Sequence, residues 1–125
     1  MSGAPDEFQY DVSKAIRTVA MALPGATEGQ SCVNRAFKAG GKNFAFLGEK
    51  DGECGLRLKL DTSIDEVAGR AESQPDRYQV GTNGWTMLRF PPDDPPMANE
   101  LEAWIVESFR LLAPAKIVAT LDDTS

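Results

Sequence analysis

The 125-residue sequence contains no histidine. That absence removes Ser-His and Cys-His nucleophilic catalysis, histidine metal sites and a histidine pH switch together. Acid–base work would fall to Asp, Glu, Lys, Cys or Tyr, and no pair of these stands out as acid and base, so an enzyme is not expected. Cys32 and Cys54 lie far apart with no Cys-x-x-Cys pair and no ligand cluster around them. They are expected to be free thiols serving as small, partly buried hydrophobes, with neither a disulfide nor a zinc site. Gly40-Gly41-Lys42 lacks the wider glycine spacing and the following Ser or Thr of a phosphate loop, so it reads as a hairpin turn. No cofactor and no metal are expected.

What remains is a set of cations near an aromatic side chain. Arg57 and Lys59 alternate with Leu56, Leu58 and Leu60, so if the leucines face a core, the cations stand on the opposite face of a sheet. In Trp85 to Phe90, an inward Thr86, Leu88 and Phe90 would place Trp85, Met87 and Arg89 outward. The candidate binding residues are therefore Lys38, Arg57, Lys59, Trp85 and Arg89. Cations beside an aromatic platform suit stacked bases or a charged partner segment. The plainer alternative is that Trp85 caps the core while Lys and Arg solvate a wet strand face.

Net charge weighs against a dedicated nucleic-acid binder: thirteen Lys and Arg face nineteen Asp and Glu, for −6 overall. The distribution is uneven. Residues 31 to 60 carry six basic side chains against three acidic, whereas residues 61 to 125 carry five against twelve. A basic middle on an acidic molecule permits a local anionic contact.

The elements that must position these residues follow from periodicity. Phe8, Val12, Ile16, Val19, Ala20 and Leu23 recur at helical spacing, which predicts an amphipathic helix over about Tyr10 to Leu23, ended by Pro24-Gly25. Residues 33 to 38 and 42 to 46 alternate around Ala39-Gly40-Gly41 as a hairpin, with Phe44 and Phe46 both assigned to the apolar face. Gly55 to Leu60 is a further strand. Ser63 and Glu66 are spaced as a capping box for a short helix stopped by Pro75. Strands are predicted at Tyr78 to Val80 and Trp85 to Phe90, separated by Gly81-Thr82-Asn83-Gly84. Asp93-Asp94 belongs to a proline-rich polar turn, with Asp94 or Pro96 opening a helix from about Met97 to Ala113. Leu101, Trp104, Ile105, Ser108 and Leu112 share one face of that helix.

The order has no βα repeat. It predicts an α+β two-layer sandwich: an antiparallel sheet of about five strands, two long helices on one face and a short helix in the middle of the chain. Residues 1 to 116 are expected to form one domain and 117 to 125 a frayed C-terminal tail. With 42% apolar and 26% charged residues the composition is that of a globular protein. No apolar run is long enough to span a bilayer and no secretory signal is visible, so a cytoplasmic location and no membrane partner are expected.

Several short segments, read in order, resemble the MmcQ/YjbR family: Ala22-Leu23-Pro24-Gly25-Ala26-Thr27-Glu28, Ala36-Phe37-Lys38-x-x-Gly41-Lys42-x-Phe44-Ala45, Leu56-x-Leu58-Lys59, Gly84-Trp85 and Glu107-Ser108-Phe109-Arg110-Leu111-Leu112. The resemblance runs from about residue 12 to 116. It implies a CyaY-like (frataxin-like) two-layer fold in bacterial proteins usually labelled DNA-binding. Many relatives carry a polar, basic stretch with a histidine before the tryptophan, whereas this chain reads Val80-Gly81-Thr82-Asn83-Gly84-Trp85, without positive charge. A basic loop there would neutralise phosphates. Frataxin-like proteins use an acidic first helix for iron; here Asp6, Glu7 and Asp11 read instead as a solvated helix start. Two functions follow as expectations. One is a non-enzymatic domain binding DNA through the basic open face of the sheet. The other is a module for a protein or a small anionic ligand that has lost phosphate contacts.

Overall fold

The computed structural model describes residues 8–31 and 34–123. Cys32, Val33, Asp6 and Glu7 lie outside the described residues. The elements run α1 (Asp11–Met21), β1 (Ala26–Ser31), β2 (Asn34–Ala39), β3 (Lys42–Lys50), β4 (Glu53–Lys59), α2 (Ile64–Ser73), β5 (Tyr78–Val80), β6 (Trp85–Phe90), α3 (Ala98–Leu112) and α4 (Ala115–Asp123). The six strands form one antiparallel sheet in the order β1-β2-β3-β4-β6-β5. Helix α1 packs on β1, β3 and α3, and α3 packs on β3 and β4, so the two long helices share one face of the sheet. This is the two-layer α+β sandwich that periodicity predicts.

The core lies between these layers. Phe37, Leu47, Leu56, Leu58, Leu88 and Phe90 come from the sheet, and Ile16, Ala20, Leu101, Trp104, Ile105 and Phe109 from the helices, all buried. Trp104 is thus a packing residue, edge-on to Tyr78.

Three features depart from the periodicity. Strand β1, Ala-Thr-Glu-Gly-Gln-Ser, makes six strands of the expected five. It has no apolar alternation because it is an edge strand, held by its ladder to β2 and by Glu28, whose carboxylate is 8% exposed between Arg17 Nε at 2.7 Å and Arg35 Nε at 2.8 Å. Where a frayed tail is expected from residue 117, the described residues up to Asp123 belong to α4, because Ile117, Val118 and Leu121 lie one turn apart and pack against the core. The third departure is a bulge. Phe37 pairs with Ala45 but Lys38 pairs with Asn43, leaving Phe44 as an extra residue on β3. Phe44 and Ala45 are therefore both buried on the helix side, and Phe44 stands edge-on to Phe109 at 5.4 Å. Past the bulge the alternation is inverted, so Phe46 faces the open side of the sheet and not the core.

Candidate site on the open face of the sheet

Alternation in β4 buries Cys54, Leu56 and Leu58 and turns Gly55, Arg57 and Lys59 to the open face. In β6 it buries Thr86, Leu88 and Phe90 and turns Trp85, Met87 and Arg89 outward. Register then sets neighbours across strands. Phe46 lies opposite Arg57, Arg57 opposite Met87, Lys59 opposite Trp85, and Gly48-Gly55-Arg89 form the adjoining row.

Arg57 is the centre of this surface. Its guanidinium carbon lies 5.2 Å from the Trp85 ring centroid and 5.8 Å from that of Phe46, and the two rings are 6.2 Å apart. The two cation–π contacts fix an exposed side chain that would otherwise be free to rotate, at about 0.5 to 1 kcal/mol each. Among the described residues no carboxylate forms an ion pair with Arg57, Lys59 or Arg89. Three recesses meet at Arg57. One runs along Lys42, Asn43, Phe46 and Trp85, one along Gln79, Val80, Thr82 and Met87, and one is floored by Gly48 and Gly55.

The last of these is boxed on four sides, with Phe46, Arg57 and Met87 on one side, Lys50 and Glu53 opposite, and Asn34 and Arg89 at the ends; its volume is about 210 Å³. Neither floor position has a side chain; the Asn34 amide fills the space over Gly48, and the open part of the recess lies over Gly55. A Cβ on Gly48 would collide with the Asn34 side-chain oxygen, and one on Gly55 would sit 3.4 Å from Met87 Cε.

The candidate residues are distributed as follows. Arg57, Lys59, Trp85 and Arg89 share the open face, with Arg57 stacked on Trp85 and Arg89 reaching the glycine-floored recess. Lys38 is exposed opposite Asn43 and lines none of the three recesses; Lys42 stands beside Arg57 and Trp85 instead. Arg35, part of the basic middle block, turns toward Glu28 and does not belong to this surface. Sequence reasoning missed Phe46, whose orientation depends on the bulge, and the Gly48–Gly55 pair, whose meaning depends on register.

Segments that look functional as sequence prove to hold elements together. Gly84 has φ +83° and its missing side chain lets the Leu60 carbonyl approach, with Leu60 N donating to Gly84 O at 2.9 Å; the Gly-Trp pair thus aims Trp85. Ser108 Oγ donates to the Phe44 carbonyl at 2.5 Å and accepts from Lys59 N at 2.9 Å, bridging the gap between β3 and β4 next to the bulge. The expected Ser63–Glu66 capping box does not form. Glu107 reaches over from α3 and accepts from Asp61 N, Ser63 N and Ser63 Oγ, at 2.6, 3.1 and 2.6 Å. Burial pushes the Glu107 carboxyl up, but these hydrogen bonds outweigh it and hold it below the usual carboxylate value. Glu49 does the same for α1, accepting from Gln9 N at 3.0 Å and Tyr10 N at 2.9 Å. Asp94 does not open α3, which begins after Met97; it accepts from Arg77 Nη1 at 3.0 Å.

Arg70 ties α2 to α3. It hydrogen-bonds both carboxylate oxygens of Glu100 and lies over Tyr78 and Trp104, 5.8 and 5.4 Å from their centroids. The bond from Arg70 lowers the Glu100 carboxyl below its usual value, and the bond to Glu100 raises the guanidinium above its own. Cys54 is a free, fully buried thiol. Desolvation pushes its pKa up to about 11, with Ser13 Oγ donating to its sulfur at 3.4 Å.

The YjbR family model matches residues 21–111. The chain belongs to the YjbR family. The segments that carry the family resemblance include the turn into β1, the bulged hairpin, the Gly84-Trp85 corner and Glu107-Ser108, all of which position the sheet or its helices. Among solved structures the chain is similar to the Deinococcus radiodurans protein DR2400, described as a DUF419 domain. The TM-score is 0.61 and the identity 20%, over 77% of this chain and 74% of that one, which is a likeness of fold. No curated protein matches the chain in sequence. No helix among the described residues is long and apolar enough to cross a membrane.

Proposed function

We propose that this YjbR-family chain is a non-enzymatic binding domain that holds an anionic ligand on the open face of its sheet, with Arg57 as the anchoring side chain. The observation that carries this reading is the Arg57 guanidinium. It is exposed, stacked on Phe46 and Trp85, without a carboxylate partner among the described residues, and placed where three recesses meet. A guanidinium held against two rings, with no carboxylate to take its hydrogen bonds, keeps N–H donors for a carboxylate or phosphate. The non-enzymatic part is supported by where the displaced pKa values fall. Arg70, Glu100 and Glu107 bind one element to another and line none of the three recesses, and although Cys54 borders the glycine-floored recess, its thiol is fully buried on the helix side against Ser13.

Nucleic acid is the second reading, favoured by Lys59 and Arg89 flanking Arg57 on the same face. The test is an amide-resolved NMR titration with acetate, inorganic phosphate, a single-stranded oligonucleotide and a duplex, on the natural chain and on Arg57→Ala. Saturable shifts of Phe46, Arg57 and Trp85 with at least one anion, lost in Arg57→Ala, are expected. If no anion perturbs this face, the reading is wrong.

A further inference from the structure

The recess over Gly48 and Gly55 has a more definite chemistry than the face around it. Two glycines lie directly opposite each other in the β3–β4 ladder; the Asn34 amide covers Gly48 and leaves Gly55 as the open floor. Phe46 and Met87 supply an apolar wall, and Arg57 and Arg89 project beside it from adjacent strands, Arg89 directly opposite Gly55. A volume of about 210 Å³ equals about seven waters at roughly 30 Å³ each. That holds one ring with an acidic substituent. The lining carries three cations, Lys50, Arg57 and Arg89, against one carboxylate, Glu53.

Resting on the anion-binding reading above, we propose that this recess is a subsite for a small aromatic carboxylate. The ring lies over Gly55, beside the Asn34 amide and against Phe46 and Met87, and the carboxylate is gripped by Arg57 and Arg89. The ring gains from apolar contact that only a side-chain-free floor permits, and the planar carboxylate matches the planar guanidinium fork. A ring without charge would leave two arginines unpaired. A charge without a ring would leave the apolar wall wet.

The probes are benzoate, benzyl alcohol and acetate, titrated separately while the Gly48, Gly55 and Arg89 amides are followed by NMR. Benzoate is expected to saturate these signals with a dissociation constant at least tenfold lower than either of the others. Gly55→Val fills the floor. Its Cβ meets nothing closer than Met87 Cε, a flexible side-chain end, and valine suits a strand, so the variant should melt at or near the natural temperature. It should lose the benzoate preference at least tenfold while the acetate response at Arg57 remains. Equal affinity for benzoate and acetate, or an unchanged preference in Gly55→Val, would overturn the subsite and leave the anion-binding face standing. Absence of any anion response in the natural chain would remove both. If Gly55→Val melts early, Gly55→Ala serves as the milder filler, and full retention of benzoate affinity there counts against the subsite.

Discussion

Phe44 and Phe46 are identical side chains two positions apart, and simple strand alternation puts them on one face. The bulge opposite Phe37 separates them, sending Phe44 into the core against Phe109 and Phe46 out beside Arg57. Their substitutions should therefore differ. Phe44→Ala empties a site with no exposed surface and is expected to cost about 3 to 5 kcal/mol. Phe46→Ala removes only a half-buried ring and one cation–π contact, and about 1 kcal/mol is expected. Urea denaturation of both variants checks this. Equal losses would mean that the bulge is misplaced and that Phe46 belongs to the core. The same pair bears on function, because Phe46→Ala should loosen Arg57 and weaken anion binding whereas Phe44→Ala should act through stability alone.

At the scale of elements, two helices have their N-cap N–H and an amide just before it taken by carboxylates from distant parts of the chain, Glu49 for α1 and Glu107 for α2. Such caps combine orphan-donor satisfaction with a negative charge at the positive helix end. Glu107→Gln should lower stability at pH 7 by about 1 to 2 kcal/mol, the range of a lost cap. The pH dependence has a definite sign. The Glu107 carboxyl is held below its usual value in the folded chain, so its contribution is complete above the unfolded pKa of about 4.3 and is lost as pH falls through the folded value. The gap between the natural chain and Glu107→Gln in urea midpoint should therefore be constant near neutrality and shrink below about pH 4.3. A gap that persists undiminished at pH 2 to 3 would show that the effect is steric and not electrostatic.

These caps also explain what the sequence could reveal. Periodicity locates α1, α3, β4 and β6, because each buries a regular stripe. It places Arg57, Lys59, Trp85 and Arg89 on the open face for the same reason. Strand β1 escapes because its stability comes from the ladder to β2 and the Arg17–Glu28–Arg35 cluster. Ser63–Glu66 misleads because a carboxylate 44 residues away takes the cap. Phe46 and the Gly48–Gly55 recess depend on a bulge and on register, neither of which a single strand's pattern encodes.

The whole molecule sets the limit on what this face can hold. Its net charge of −6 repels an approaching polyanion over about a Debye length, about 8 Å at physiological ionic strength, while Arg57, Lys59 and Arg89 attract only at contact. For a small monoanion the long-range term is slight, and the stacked guanidinium decides the affinity. For a nucleic acid the two terms oppose. Three phosphates neutralised on a single strand would give a slope of about −2 in log affinity against log salt, and screening of the overall repulsion should flatten it. Binding of an oligonucleotide should therefore be weak, poorly sequence-specific and less salt-sensitive than three contacts alone imply. Changing Arg57 and Lys59 together to Glu should abolish it while the fold is kept, at a stability cost of about 1 to 2 kcal/mol from the two lost cation–π contacts, because Arg57 is exposed and Lys59 is engaged with the fold through its backbone N–H to Ser108. Fluorescence anisotropy with a labelled single strand at two salt concentrations makes the comparison. Unaltered oligonucleotide binding in the double variant would mean that nucleic acid uses another surface. A slope well steeper than −2 would mean that more cations take part than this face presents, since an acidic molecule can only subtract from the contacts it makes.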